Sequence, residues 1–485
     1  MRTWRAPLVP ATAFGLLLGA VACTGDPPPE PPEESPRPIP TAYSGEAPPG
    51  LAGDPVRFLH GPEAGGPDIV DDPMGVRIQG LGDAFLISSN SEERHLLQDA
   101  ASGEALWEGD RHVGRFTSDG DGTAVFELSE GSAHTVVDDT GEEVWSGSDP
   151  REVYVNGWVV RRPEGWSADE PHGEFTVSDP GGGTAWSYAF DRPEPQEEPE
   201  EGEESEESEE ADAEADPDPD RMGAPVGARG DVVLLDDGAG LLQARDAGAD
   251  GELLWSTTGD DLGVAGDGAV SRPQPRPVGF YELPLGEEER DEEQEEAESG
   301  DGGTASPSPA EESLRKTVLV RWGLPEDPST LSLHDLRSGE VLWSLAEPGA
   351  NPGDAFAAAL VPGTVHDAAT HTLLLPQGSG TTPMIAVDLV AGEIRWRFDD
   401  DTERAISPSF ALDGYVYGDS RGVDGDSQVV LEAGTKDVVS DDPAGYVEAR
   451  TADGHAMVVQ DRQRFVFAPE NPPTPAPTST PSPSG

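Results

Sequence analysis

Apolar and polar residues alternate in short runs along this chain. Leu331-Ser332-Leu333-His334-Asp335 puts every second side chain on one face, the period of a half-buried β-strand. Leu336-Arg337-Ser338-Gly339 then reads as a turn, with glycine suited to a positive φ, and Val341-Leu342-Trp343 reads as the next strand. The unit recurs. A glycine followed four residues later by tryptophan occurs at Gly103/Trp107, Gly141/Trp145, Gly182/Trp186, Gly251/Trp255, Gly339/Trp343 and Gly392/Trp396. Six of the ten tryptophans hold this place, so unrelated hairpins that happen to share a turn are the weaker explanation. A seventh copy, Gly434-Thr435-Lys436-Asp437-Val438, puts Val438 where the others have Trp. The first three copies lie about 40 residues apart, a spacing that suits four short strands per unit.

Repeated around a ring, the tryptophans are expected to pack between neighbouring sheets, each burying ~150–250 Å². Gly445-Tyr446-Val447-Glu448, His455-Ala456-Met457-Val458-Val459 and Arg464-Phe465-Val466-Phe467 supply three further strands. Pro55-Val56-Arg57-Phe58-Leu59 supplies a fourth from the other end of the chain, and pairing strands from both ends removes exposed sheet edges. The expected fold is all-β: an eight-bladed β-propeller over residues 51–468, with seven blades as the alternative.

The segments His334-Asp335-Leu336-Arg337-Ser338-Gly339-Glu340-Val341-Leu342-Trp343 and Val387-Asp388-Leu389-Val390-Ala391-Gly392-Glu393-Ile394-Arg395-Trp396 resemble the repeat of PQQ-like (quinoprotein-type) β-propellers. The resemblance spans roughly residues 55–468. That family includes quinoprotein alcohol dehydrogenases and non-enzymatic envelope lipoproteins, such as the propeller subunit of the outer-membrane assembly machine. Its enzymes stack their quinone on adjacent cysteines beside a calcium site. This chain has one cysteine, Cys23, so that pair cannot form, and no residues map onto the calcium ligands. The resemblance therefore implies the non-enzymatic branch, with no cofactor, no metal and no catalytic residue.

Charge changes the picture at the edges of the ring. The chain of 485 residues carries 96 acidic and 30 basic side chains, a net −66, which argues against nucleic-acid binding. Residues 191–221 hold 17 of the acids and residues 286–312 hold 12. Like-charge runs of this kind repel themselves and bury nothing, so both are expected to be disordered. The first falls between blades three and four and the second inside blade five. Solvated rim loops are the simpler reading; cation or partner attraction is the alternative. Only Lys316 and Lys436 are lysines, an arginine bias that suits a GC-rich, actinobacterial genome.

Residues 1–22 read as an export signal, with Arg2 and Arg5 ahead of the apolar run Phe14–Val21. Leu18-Gly19-Ala20-Val21-Ala22-Cys23 resembles a bacterial lipobox, which makes Cys23 the expected lipidation site. Residues 23–50 read as a Pro/Glu-rich disordered tether and 469–485 as a Pro/Ser/Thr-rich disordered tail.

Other chemistry is sparse. Gly418-Asp419-Ser420-Arg421-Gly422 matches a nucleophile-elbow pattern, but a strand follows it where a helix is required. Asp119-Gly120-Asp121-Gly122 and Asp424-Gly425-Asp426 suggest calcium loops, yet the ligand spacing fails and hairpin turns fit better. His366 and His371, with Asp367 between them, lack a helix to hold a metal. The expectation is a monomeric, lipid-anchored binding or scaffold module on the outer face of the cell membrane, with an envelope or secreted protein as partner. A divergent quinone-dependent oxidoreductase and an ion- or ligand-sensing propeller are the alternatives.

Overall fold

A computed structural model describes residues 42–59, 67–183, 185–192, 221–263, 273–285, 314–323, 328–350, 364–377, 384–398, 406–422 and 425–472. The signal, Cys23, most of the tether, the bulk of both acidic runs and the tail beyond residue 472 lie outside them, as does Asp424.

Eight four-stranded antiparallel sheets follow one another along the chain. Blades 1 to 7 span Val76–Gly109, His112–Gly147, Glu152–Phe190, Ala224–Thr258, Gln274–Ala350, Val365–Arg397 and Ser407–Ser440. In each, the four strands pair in sequence order. Blade 8 takes three strands from Tyr446–Phe467 and its outermost, Arg57–Leu59, from the other end of the chain. The expected eight blades and two-ended closure are both observed. The first strands of successive blades lie against one another around the axis. Turns between strands one and two, and three and four, share one side of the ring, here the turn face. Blade-to-blade connections and turns between strands two and three share the other, the loop face. The strands flanking the first acidic run, in blades 3 and 4, meet it on the loop face, and the two blade 5 strands flanking the second end on the turn face.

The repeat motif is an interlock between blades. In blades 1, 2, 4, 5 and 6 an aspartate ends the third strand and its carboxylate accepts backbone N–H groups of the turn, as Asp335 does from Arg337 and Ser338 and Asp388 from Val390 and Ala391. In blades 5 and 6 the glycine four residues on has positive φ, and its missing Cβ seats the previous blade's tryptophan. A Cβ at Gly339 would lie 2.4 Å from Trp255, and one at Gly392 2.4 Å from Trp343. The residue after the aspartate works in both directions. Leu336 donates its N–H to Lys316 within its blade, and its carbonyl accepts the Trp255 indole at 2.9 Å. Leu389 does the same for His371 and Trp343, and Ala433 for Gly414 and Trp396.

Turn length decides whether the indole bond forms. It forms where the turn closes four residues after the aspartate or glutamate, in blades 5, 6 and 7. The turns Asp138–Gly141 and Asp179–Gly182 are one residue shorter and Asp246–Gly251 one longer. Facing those, Trp107, Trp145 and Trp186 make no such bond, and the Trp186 Nε1 is buried without a partner.

Two seams depart from the expected pattern. In blade 7 the turn N–H bonded to Glu432 O belongs to Lys436, at φ 69°, so Lys436 holds the glycine place and Gly434 does not. Ser440 pairs with Val430 as Trp396 pairs with Ala386. The residue in the tryptophan place is therefore Ser440, and Val438, 62% exposed, is a solvent-facing residue two positions earlier. At the closing seam Arg57 does the indole's work. It donates to the carbonyls of Ala100 (2.9 Å) and Asp99 (3.1 Å) and to Gln98 Oε1 (3.1 Å), and lies against Gly103.

Residues 42–50, given to the tether above, are instead part of the ring. Tyr43 packs edge-on to Phe465 and Phe467, Ser44 exchanges hydrogen bonds with Gln460, and the Tyr417 hydroxyl donates to Pro49 O. Leu51 is buried and bridges to Pro469. This segment fills the seam between blades 7 and 8, where blade 8 has no third-to-fourth-strand turn for a tryptophan to meet.

Charge is also buried between blades. Arg321 and Glu347, both fully buried, form a two-point ion pair at 2.6 Å; Ser329 and Gln377 also donate to Glu347. Asp236, 2% exposed, accepts the Gly238 N–H, and burial pushes its carboxyl up to about 7.

Two outcomes follow. Trp255→Phe strands the Leu336 carbonyl at a cost of ~1–3 kcal/mol, whereas Trp186→Phe has no bond to lose. Denaturant midpoints of the two variants should differ in that order, and equal shifts would contradict the interlock. Second, folded Asp236 keeps its proton to about pH 7, while the unfolded group releases it near ~3.9. The folded state thus binds the extra proton, and stability falls as pH rises through that window and levels off above it. Against Asp236→Asn, which cannot titrate, the parent should lose up to ~4 kcal/mol between pH 4 and 8 in denaturation. Parallel pH curves would contradict this.

Candidate functional site: a cavity in the central channel

The first strands of blades 2, 4 and 5 carry glycine inside a strand, a pattern that marks bulges. Registers shift between Val113 and Phe116, between Pro225 and Gly227, and between Pro277 and Gly279. The last two are a repeated Pro-Val-Gly. Proline is tolerated there because the first strand is a sheet edge. The extra residues turn the local side chains toward the axis and leave a cavity of about 490 Å³ between blades 2 and 5. Its walls include Phe116, Val155, Val226 and Phe280, with Arg115, Arg229, Asn156, Thr117 and Ser118 as the polar groups.

Structural hydrogen bonds fix the polar groups. Arg115 donates through Nε to Glu127 at 2.9 Å and through Nη2 to the Tyr154 carbonyl. Glu127 also bonds His134. Asn156, at φ 45°, donates to Thr117 and Ser118 of blade 2. Arg229 donates through Nη2 to Glu282 at 2.8 Å.

The first turns of blades 2, 3 and 4 interlock on the turn face. Gly230 donates its N–H to Gly120 O at 2.7 Å, and the Trp158 indole donates to Gly230 O at 2.9 Å. Gly157 lies so close to Gly120 that a Cβ would sit 2.4 Å from the Gly120 nitrogen. This turn is the Asp119–Gly122 run weighed above for calcium. Asp119 Oδ1 instead accepts the N–H groups of Asp121 and Thr123 as an ordinary Asx turn.

The other candidates do not converge. Ser420 lies within a blade 7 strand, fully buried and paired with Ser427, so it is no elbow nucleophile. His366 and His371 flank a turn whose Asp367 carboxylate is taken by Thr370 and Gly414. Burial pushes His366 down to about 4, aided by His371 and Arg450. Among the described residues no group of three His, Cys, Asp or Glu side chains could hold a metal ion. The six repeat tryptophans line seams between blades, not the cavity. The cavity arginines escaped sequence reading, although Val-Gly-Arg and the paired Pro-Val-Gly were visible as breaks in strand pattern.

No family model matches this chain. No curated protein matches it. Among solved structures it is similar to BamB from Moraxella catarrhalis, at 14% identity over 81% of this chain and 96% of that one, with a TM-score of 0.37. It is similar to Sqt1 from Saccharomyces cerevisiae, at 10% identity over 82% and 98%, TM-score 0.38. It is also similar to the quinohemoprotein alcohol dehydrogenase of Comamonas testosteroni, at 11% over 81% and 75%, TM-score 0.40. The propeller assignment rests on the eight sheets themselves.

Gly157→Ala tests the interlock of these turns. Its φ of +95° and the contact with Gly120 both oppose a side chain. The variant should lose ~2–3 kcal/mol in equilibrium denaturation and exchange the Gly230 amide faster. Unchanged stability and exchange would show that the turns do not interlock.

Proposed function

We propose that this chain is a non-enzymatic β-propeller, lipid-anchored through Cys23 at the outer face of the cell membrane, that works as a binding or scaffold module for an envelope or secreted protein. The observation that carries the reading is the channel cavity. Arg115, Arg229 and Asn156 are hydrogen-bond donors already held by structural partners, a set made to hold a ligand or partner group rather than to exchange protons with one. Oxidoreductase chemistry would need a quinone seat, and Cys23 alone cannot provide the paired cysteines of the resembling enzymes.

The anchor is consistent with the way the ring begins. Ser44 is fixed to Gln460, at a turn on the loop face. Eighteen residues separate Cys23 from Ala42, and at most ~3.6 Å per residue they reach about 65 Å. That leash lets the loop face meet a partner on or near a bilayer.

Cys23→Ser should move the protein from the membrane fraction to the medium and abolish labelling by a lipid precursor. Retained labelling would remove the anchor from the proposal. Proximity labelling from the parent at the intact cell surface should then recover envelope or secreted proteins, and recovery of cytoplasmic proteins alone would overturn the location.

A further inference from the structure

The cavity's charge runs against that of the chain. Acids outnumber bases 96 to 30 overall, yet the residues lining the cavity include two arginines and no carboxylate. Neither guanidinium is fully used. Arg115 Nη1 and Arg229 Nε and Nη1 make no hydrogen bond to the described residues. A guanidinium carries five N–H donors in a fixed plane that suits an oxyanion.

A third arginine adds to the imbalance. Arg162 stacks over the Trp166 ring at 3.9 Å and pairs with no carboxylate among the described residues. Burial and, after it, the charge of Arg115 hold its guanidinium below the usual range. Arg115 and Arg229 each pair with one carboxylate, Glu127 and Glu282, and Arg162, outside the cavity lining, adds its positive charge near Arg115. Below the arginines the wall is apolar: Phe116, Val155, Val226 and Phe280. Phe116 is 40% exposed, a large apolar side chain open to the channel. The volume falls in the ~300–1,000 Å³ range of small-molecule pockets.

From this juxtaposition we infer that the channel cavity binds a small organic acid, with its carboxylate on Arg115 and Arg229 and its apolar body against Phe116 and Phe280. The inference deepens the binding-module reading and rests on it. The overall negative charge slows the acid's arrival. Selection comes from the short-range donors, since an ionic hydrogen bond is about twice as strong as a neutral one.

The test uses the full mature chain and isothermal titration calorimetry. Octanoate stands for acids shed from a bilayer, phenylacetate for soluble aromatic acids, and octanamide is the uncharged control. At least one acid should bind saturably at one site and raise the melting temperature, and octanamide should bind at least tenfold more weakly than octanoate. The tighter acid identifies the source. Arg115→Gln and Arg229→Gln should each weaken binding tenfold or more, while Arg77→Gln, at an exposed pair with Glu92, should not. Should Arg115→Gln fail to fold, Phe280→Ala and the octanamide comparison still decide. Equal binding of octanoate and octanamide, parent-like affinity in Arg229→Gln and Phe280→Ala, or no binding at millimolar acid would each overturn the proposal. None of these outcomes alters the Cys23→Ser or labelling results, so the two readings fail separately.

Discussion

Three seams of this ring depend on one backbone carbonyl each, the acceptors of Trp255, Trp343 and Trp396. A β-sheet blade is apolar on both faces and needs a neighbour on each side, but apolar contact alone does not fix how far one blade rotates against the next. The indole bond does. Trp255, Trp343 and Trp396 each reach the carbonyl of the residue after the turn's acidic residue, and that residue's N–H is already held by its own blade. The bond therefore joins one blade's outer strand to both turns of the next. Glycine suits the place beneath the Trp255 and Trp343 rings because a Cβ at Gly339 or Gly392 would overlap them.

Most of this was legible in the sequence because the constraint is local and repeated. Gly-x-x-x-Trp marks both halves of five seams, and the number of blades followed from it together with the strand pattern at the two ends of the domain. What failed was register where chemistry was substituted. In blade 7 a lysine occupies the left-handed position, and the nearby Gly434 drew the motif two residues out of place. At the closing seam Arg57 replaces the tryptophan, matching a planar donor rather than an aromatic ring. Residues 42–50 looked like tether because they are rich in Pro, Gly and Glu, yet Tyr43 and the Pro49 carbonyl are enough to fix them.

The cavity was the least legible part. Its shape depends on bulges, and a bulge reverses which side chains face the axis without altering composition. Arg115 and Arg229 are two arginines among 28 until the strand irregularities turn them inward. The Arg321–Glu347 pair is hidden in the same way. Its two members stand 26 residues apart in different strands and become fully buried only in the assembled blade.

The strand Arg57–Leu59 has a consequence in time. It is among the first parts of the domain to be synthesised, and the strands it joins are among the last. Seven blades can form in order as the chain lengthens, but the ring stays an open arc until residues near 466 arrive. The contact that ends the process spans more than four hundred residues, so its loop-closure entropy falls on the last step. An open arc exposes the flanks of blades 1 and 7 to any other unpaired strand. The dense negative charge of the chain then acts as a kinetic safeguard, holding incomplete copies apart until each finds its own end.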